Sequence, residues 1–167
     1  GTVSHVGRAN LDGTGAVQLT NGEGGESNPR WSPDGSHIAF VANRHDTEHE
    51  QVYLMPTNGG EARALTQHPT PVGTIEWSGD GKWIYFVAVD EKTDAEKARE
   101  AVNDNVFRYE EDQRPNGLWR ASVESGEAER VTESGTMVRG YSLSRDGTVL
   151  LVQLAPTPLY DDMLNSE

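Results

Sequence analysis

The sequence has no cysteine, so it forms neither disulfides nor thiolate metal sites and suits an oxidising or a reducing compartment equally. Hydrophobic residues are also scarce, at 34%, and no stretch approaches the roughly 20 apolar residues of a membrane-spanning helix. No membrane partner is expected. Basic residues are outnumbered, with 14 Lys and Arg against 27 Asp and Glu and a net charge of −13. That balance repels phosphate backbones and anionic bilayers, so nucleic acid is not an expected partner either. No basic segment followed by an apolar run and a small-residue cleavage site opens the chain. Because the chain begins inside a repeat, that absence leaves localisation open between a periplasmic or secreted setting and a cytoplasmic one.

What the sequence does contain is repetition, and internal repeats fix an architecture before any single motif is read. Trp31-Ser32-Pro33-Asp34-Gly35, Trp77-Ser78-Gly79-Asp80-Gly81 and Leu143-Ser144-Arg145-Asp146-Gly147 align on an Asp-Gly pair, spaced by 46 and then 66 residues. A second landmark, an aliphatic residue followed by threonine, falls at Leu19-Thr20, Leu65-Thr66 and Val131-Thr132 with the same two intervals, 46 and 66. The unit is the size of one four-stranded propeller blade, with roughly 20 extra residues inserted in the second copy.

The details of each copy agree with a blade. The Asp-Gly pair marks a hairpin between first and second strands, glycine supplying the positive φ of a tight turn. The second strands, Ile38 to Val41, Ile84 to Val87 and Leu150 to Val152, are apolar at successive positions, as strands covered on both faces are. Trp31, Trp77 and, in the third copy, Leu143 are expected to fill the gaps between blades. The third strands are Gln51 to Met55 and Leu118 to Val123, with Val3 to Ala9 a weaker match. Turns at Asp12-Gly13, Asn58-Gly59-Gly60 and Ser125-Gly126 lead to short, polar outer strands.

The expected fold class is therefore all-β: a partial β-propeller of four-stranded antiparallel blades with one short helical insertion. The expected units are a half-blade at 1–25, a complete blade at 26–71, a complete blade at 72–136 carrying the insertion at about 91–116, and a half-blade with a tail at 137–167. Closed propellers have about 4 to 8 blades. A fragment, or one part of an oligomeric ring whose half-blades self-associate, is the expectation.

In the insertion, Thr93-Asp94-Ala95-Glu96 fits a capping box, and Ala95, Ala98 and Val102 form a narrow apolar stripe on a helix of two to three turns. The mixed segment Phe107 to Pro115 follows. Loops on a repeating frame vary without disturbing it, so the element individual to this chain is expected here.

The run from Asn28 to Thr66, with WSPDGSHIAFVANR and QVYLMPTNGGEARALT, resembles the TolB-type propeller repeat, found in TolB and in the propellers of prolyl oligopeptidase family serine peptidases. VFRYEEDQRPNGLWRASVESGEAERVT and the terminal QLAPTPLYDD resemble the acylaminoacyl peptidase and dipeptidyl aminopeptidase branch. The resemblance implies a parent serine peptidase whose α/β-hydrolase domain cuts peptides, while this propeller region gates and recognises peptide substrates. The partners it implies are the peptide substrate, the missing hydrolase domain and the remaining blades. The alternative is a TolB-like scaffold that binds a protein partner, with no enzyme attached.

No catalytic residue is expected in this chain. The nucleophile elbow G-x-S-x-G is absent, and its nearest approach, Gly140-Tyr141-Ser142-Leu143-Ser144, ends in serine and lies on a repeat strand. Glu110 and Glu111 resemble the paired glutamates with which dipeptidyl peptidases hold a free amino terminus, and two carboxylates suit an ammonium. Against that role stands a solvated acidic loop. Arg114 is the third candidate, either for a substrate carboxylate or carbonyl or for fastening the insertion through Glu110 or Asp112. No metal and no cofactor is expected: His45 and His49, with Asp46, Glu48 and Glu50, sit on a hairpin, where H-x-x-x-H spacing loses the meaning it has on a helix. Asp12-Gly13-Thr14-Gly15 is a turn, short of the ligands a calcium loop needs.

Overall fold

A computed structural model describes residues 3–44, 47–94, 97–98 and 114–155. Among these residues the regular elements are antiparallel strands in four sheets. β1 (Gly7–Arg8) pairs with β2 (Val17–Gln18). β3 (Glu26–Trp31), β4 (His37–Ala42), β5 (Gln51–Pro56) and β6 (Arg63–Ala64) form a four-stranded sheet in sequence order. β7 (Val72–Trp77), β8 (Trp83–Val89), β9 (Asn116–Ser122) and β10 (Ala128–Arg130) form a second, and β11 (Met137–Leu143) pairs with β12 (Leu150–Ala155). Sequence-order, four-stranded antiparallel sheets are propeller blades, and the chain is a partial propeller.

Each Asp-Gly turn is one hydrogen-bonded unit, built the same way three times. Ser32, Ser78 and Ser144 donate their hydroxyls to Asp34, Asp80 and Asp146 at 2.6, 2.7 and 2.6 Å. The same aspartates accept the amides of Ser36, Lys82 and Thr148. Gly35, Gly81 and Gly147 close the turns at φ of 70°, 71° and 70°, a region open to glycine without steric cost. Hydrogen bonds from Ser32 and Ser36 hold the exposed Asp34 carboxyl down at about 2, from its ordinary 3.8.

The aliphatic-threonine landmark works at the other end of the blade. Thr20, Thr66 and Thr132 accept the amides of Val6, Val52 and Leu118 through their hydroxyl oxygens at 2.8, 3.0 and 3.1 Å. Each threonine thereby ties the exit of an outer strand to the third strand beside it.

The core lies between sheets. On β4, Ala39 and Val41 face one cluster with Val52, Leu54, Ile75, Trp77, Ile84 and Phe86, whereas Ile38, Phe40 and Ala42 face another with Val6, Tyr53 and Met55. Strand alternation thus sends successive apolar residues into two different interfaces.

Two expectations are corrected. Trp77 fills its interblade gap, with its indole N–H donating to the Arg30 carbonyl at 3.3 Å, but Trp31 is 56% exposed. Trp77 is covered by β3 of the preceding blade; no described strand offers Trp31 the equivalent cover. β12 differs in the same way from the other second strands: Leu151 and Leu154 are exposed because no described sheet lies over that face. The helical insertion lies largely outside the described residues, as do Ala95, Glu96 and Val102; within them, Thr93 accepts the Lys97 amide with helical spacing at 3.0 Å.

Replacing Trp77 with alanine is expected to destabilise the fold by about 3–5 kcal/mol. Trp31→Ala is expected to cost less than about 1 kcal/mol. Chemical denaturation of both variants checks the contrast. For Asp34, whose folded pKa is depressed, stabilisation is present above its unfolded value and is lost as pH falls through about 2. Asp34→Ala is therefore expected to lower the melting temperature near neutral pH, the gap to the parent protein closing on acidification from about pH 4 to about pH 2.

Candidate functional site

The second-to-third strand connections and the links between blades share one end of the propeller, and apart from Arg44 Nε in the first complete blade the described buried polar groups without partners gather there around the second. Four segments build this corner. The link between β6 and β7 carries His68 and Thr70, Asp90 follows β8, Arg114 and Pro115 precede β9, and Arg130 ends β10. Asp90 and Arg130, far apart in sequence, form an ion pair with Nη1 to Oδ2 at 2.7 Å and side chains only 19% and 16% exposed.

The same aspartate fastens the feet of the insertion. Its amide donates to the Pro115 carbonyl at 3.0 Å, and its carbonyl accepts from Arg114 Nη1 at 3.4 Å. Glu110 and Glu111, the other two candidates from the sequence, lie outside the described residues, as do His45 and Asp46. Among the described residues no three His, Asp or Glu side chains are grouped to hold a metal ion.

His68 is buried between aromatic rings, 4.7 Å from Trp119 and 5.6 Å from Phe86 by ring centroids, in edge-on geometry. Its amide donates to Gln51 Oε1 at 2.8 Å, and its carbonyl accepts from Gln51 Nε2 at 2.9 Å. Its Nδ1 lies 3.3 Å from the Thr70 amide, and the Thr70 hydroxyl donates to the Val89 carbonyl. Burial pushes the imidazole below its ordinary pKa, against the opposing pull of the Thr70 backbone, Asp90 and Glu91. Its Nε2 is buried without a protein partner, as are Trp119 Nε1, Asp90 Oδ1, and Nε and Nη2 of Arg130. The guanidinium carbon lies 5.8 Å from the Trp119 ring centroid.

The corresponding junction one blade earlier surrounds its buried anion with donors, although Arg44 Nε there is also buried without a protein partner. Glu26, with no exposed side-chain surface, receives the Thr20 hydroxyl at 2.8 Å, the Gly22 amide at 2.9 Å and Arg44 Nη2 at 3.1 Å. His5 Nδ1 lies 3.0 Å from its second oxygen. Burial raises the Glu26 pKa most strongly, but the hydrogen bonds together outweigh it and leave the group ionised below its ordinary range. At the junction that follows, the side-chain amide of Gln51 on β5 of the first complete blade takes this place, accepting from the Thr66 hydroxyl at 2.7 Å.

A profile described as the tricorn protease N-terminal β-propeller domain matches residues 6–106. The chain belongs to the tricorn N-terminal β-propeller family. A Bacillus subtilis (strain 168) protein named "Uncharacterized peptidase YuxL" is 34% identical over 153 residues, covering 82% of this chain and 23% of that protein. Dipeptidyl-peptidase 5 of Porphyromonas endodontalis is 33% identical over 79 residues, covering 47% of this chain and 11% of that protein. Both relatives are therefore far longer than the chain. Among solved structures, TolB from Acinetobacter baumannii superposes with a TM-score of 0.62 at 18% identity, covering 86% of this chain and 30% of that one. Pyrococcus horikoshii acylaminoacyl peptidase superposes at 0.58 and 21%, covering 86% and 22%. At these identities the structural likeness shows the fold, and this fold occurs in peptidases.

The tricorn-type propeller carries its buried histidine neutral, which predicts a pH dependence. Because the folded pKa of His68 lies below the unfolded value of about 6.5, the unfolded chain binds the extra proton, and stability falls as pH drops below that value. His68→Gln is expected to shrink the loss of melting temperature between about pH 7.5 and about pH 5.5. Thermal melts of both proteins at those two pH values check it.

Proposed function

We propose that this chain is the non-catalytic propeller portion of a serine peptidase of the prolyl oligopeptidase family, and that it gates and recognises peptide substrates. One observation carries the reading: 34% identity to a peptidase across 82% of the chain, within a family of propellers named for a protease. The chemistry present is consistent with division of labour. The sequence has no nucleophile elbow, and the strands form a rigid frame that holds loops at one end.

In this reading the catalytic serine lies in another domain of the protein, and the propeller limits which peptides reach it. Glu110, Glu111 and Arg114 belong to the insertion and are proposed to meet substrate termini, the glutamates taking an amine and the arginine a carboxylate or carbonyl. Likeness to TolB rests on structures at about one fifth identity and carries fold alone, so the scaffold reading gains no separate support.

The test is the intact protein that contains this chain, treated with a fluorophosphonate serine probe and assayed on short and long peptides. Labelling of one serine outside these 167 residues and cleavage favouring short peptides are expected. Trp77→Ala, which loosens the contact between two blades, is expected to raise the rate on long peptides relative to short ones. Absence of probe labelling together with absence of cleavage overturns the reading.

A further inference from the structure

We infer that Arg130 is a binding fork for a carboxylate presented by a peptide. The clue is which edge of the guanidinium is occupied. Arginine offers five N–H donors in a fixed plane, and its side-on edge, made of Nε and Nη2, matches the two oxygens of a carboxylate. In Arg130 the Nη1 end is held by Asp90 at 2.7 Å, while Nε and Nη2 are both buried without a protein partner. The ion pair therefore orients the group and leaves its bidentate edge unused.

The surroundings are built to hold that edge in place. Gly117 on β9 lies against the guanidinium: a Cβ there would sit 2.8 Å from Nη2, 2.9 Å from Nε and 3.0 Å from Cζ. The absence of a side chain at 117 is what leaves room for the guanidinium here. Any other residue at 117 displaces the fork. Trp119, two positions along the same strand and so on the same face, adds an indole N–H that also lacks a partner. His68, more than nine-tenths buried, adds Nε2 from the link between blades.

Donors dominate this set, and each buried donor left unpaired is costly. A group bringing two acceptor oxygens and a negative charge satisfies several at once. A cation is disfavoured by the arginine, and a neutral amide fills at most part of the fork. The site's place among Asp90, Arg114 and Pro115 puts it at the root of the insertion, and entry of the carboxylate requires a side-chain shift because the fork is closed in this structure. That the carboxylate comes from a peptide rests on the peptidase reading above.

The experiment uses the intact protein and three probes: acetyl-trialanine with a free C-terminus, its C-terminal amide, and the amide of acetyl-Ala-Glu-Ala. Binding is followed by calorimetry over a period in which no cleavage product forms. At least one of the two acids is expected to bind about tenfold more tightly than the neutral amide, as a charge-assisted bidentate pair does. Preference for the free C-terminus or for the glutamate side chain identifies the source of the carboxylate. Arg130→Lys keeps a cation for Asp90 but removes the fork, and is expected to abolish the difference between acid and amide while the far-ultraviolet circular dichroism is unchanged. Gly117→Ala is expected to weaken the acids alone. Equal binding of all three probes, or discrimination that persists in Arg130→Lys, overturns the inference. Peptide cleavage measured on the same preparation separates this failure from failure of the peptidase reading, since a protein that still cleaves peptides without distinguishing acid from amide loses only the fork.

Discussion

Burial of the second strand on both faces is the constraint on which the rest of the structure depends. In β4, Val41 points into the interface with the following blade and Phe40 into the interface with the preceding one. A four-stranded sheet this narrow has no interior of its own, so its hydrophobic residues become a core only between neighbours. Trp31 and Trp77 show the consequence directly. They are the same residue in successive copies, and their exposure differs because one has a described neighbour and the other does not. Stability in such a stack is therefore a property of interfaces, and each blade is held by what lies beside it.

Packing of that kind sets spacing but not polar chemistry, which is settled separately at the junctions. Thr20 and Thr66 hold equivalent places and each caps a third strand with its oxygen. Yet the proton of Thr20 goes to the Glu26 carboxylate and that of Thr66 to the Gln51 amide, groups from different strands. Gly79 is a second local solution. A Cβ there would come within 3.1 Å of the Asp146 backbone, so the glycine lets one Asp-Gly turn approach the next.

Much of the fold was legible in sequence because its signals are local. The Asp-Gly turn is complete within six residues, from Ser32 to His37, and every hydrogen bond that defines it joins residues inside that span. The threonine landmark was equally visible, although its partner lies 14 residues away. Exposure of Trp31, Leu151 and Leu154 was not legible, since it depends on what faces a strand and not on the strand. The candidate site was the least legible part. His68, Asp90, Gly117, Trp119 and Arg130 belong to no motif, and they meet because four segments end at the same corner of a blade. The one available signal was Gly117, a glycine at the start of a strand that otherwise favours side chains.

The insertion explains why that corner departs from its counterpart. In the first complete blade the second and third strands are joined by a short hairpin, and Arg44 reaches Glu26 with its guanidinium over Phe40 and Tyr53. In the second, Asp90 stands at the position of Arg44, and the charge is reversed. The cation must then come from elsewhere, and it comes from the outer strand as Arg130, lying over Gly117 and beside Trp119. Reversal gives the insertion a fixed root, because the Asp90 backbone bonds both Pro115 and Arg114 while its side chain holds Arg130. It also leaves the arginine with one anion where Glu26 has several donors. A single exchange, aspartate for arginine at the end of a second strand, thus calls in a cation from the outer strand, and it leaves both Nε and Nη2 of that arginine without a partner where Arg44 lacks one only at Nε.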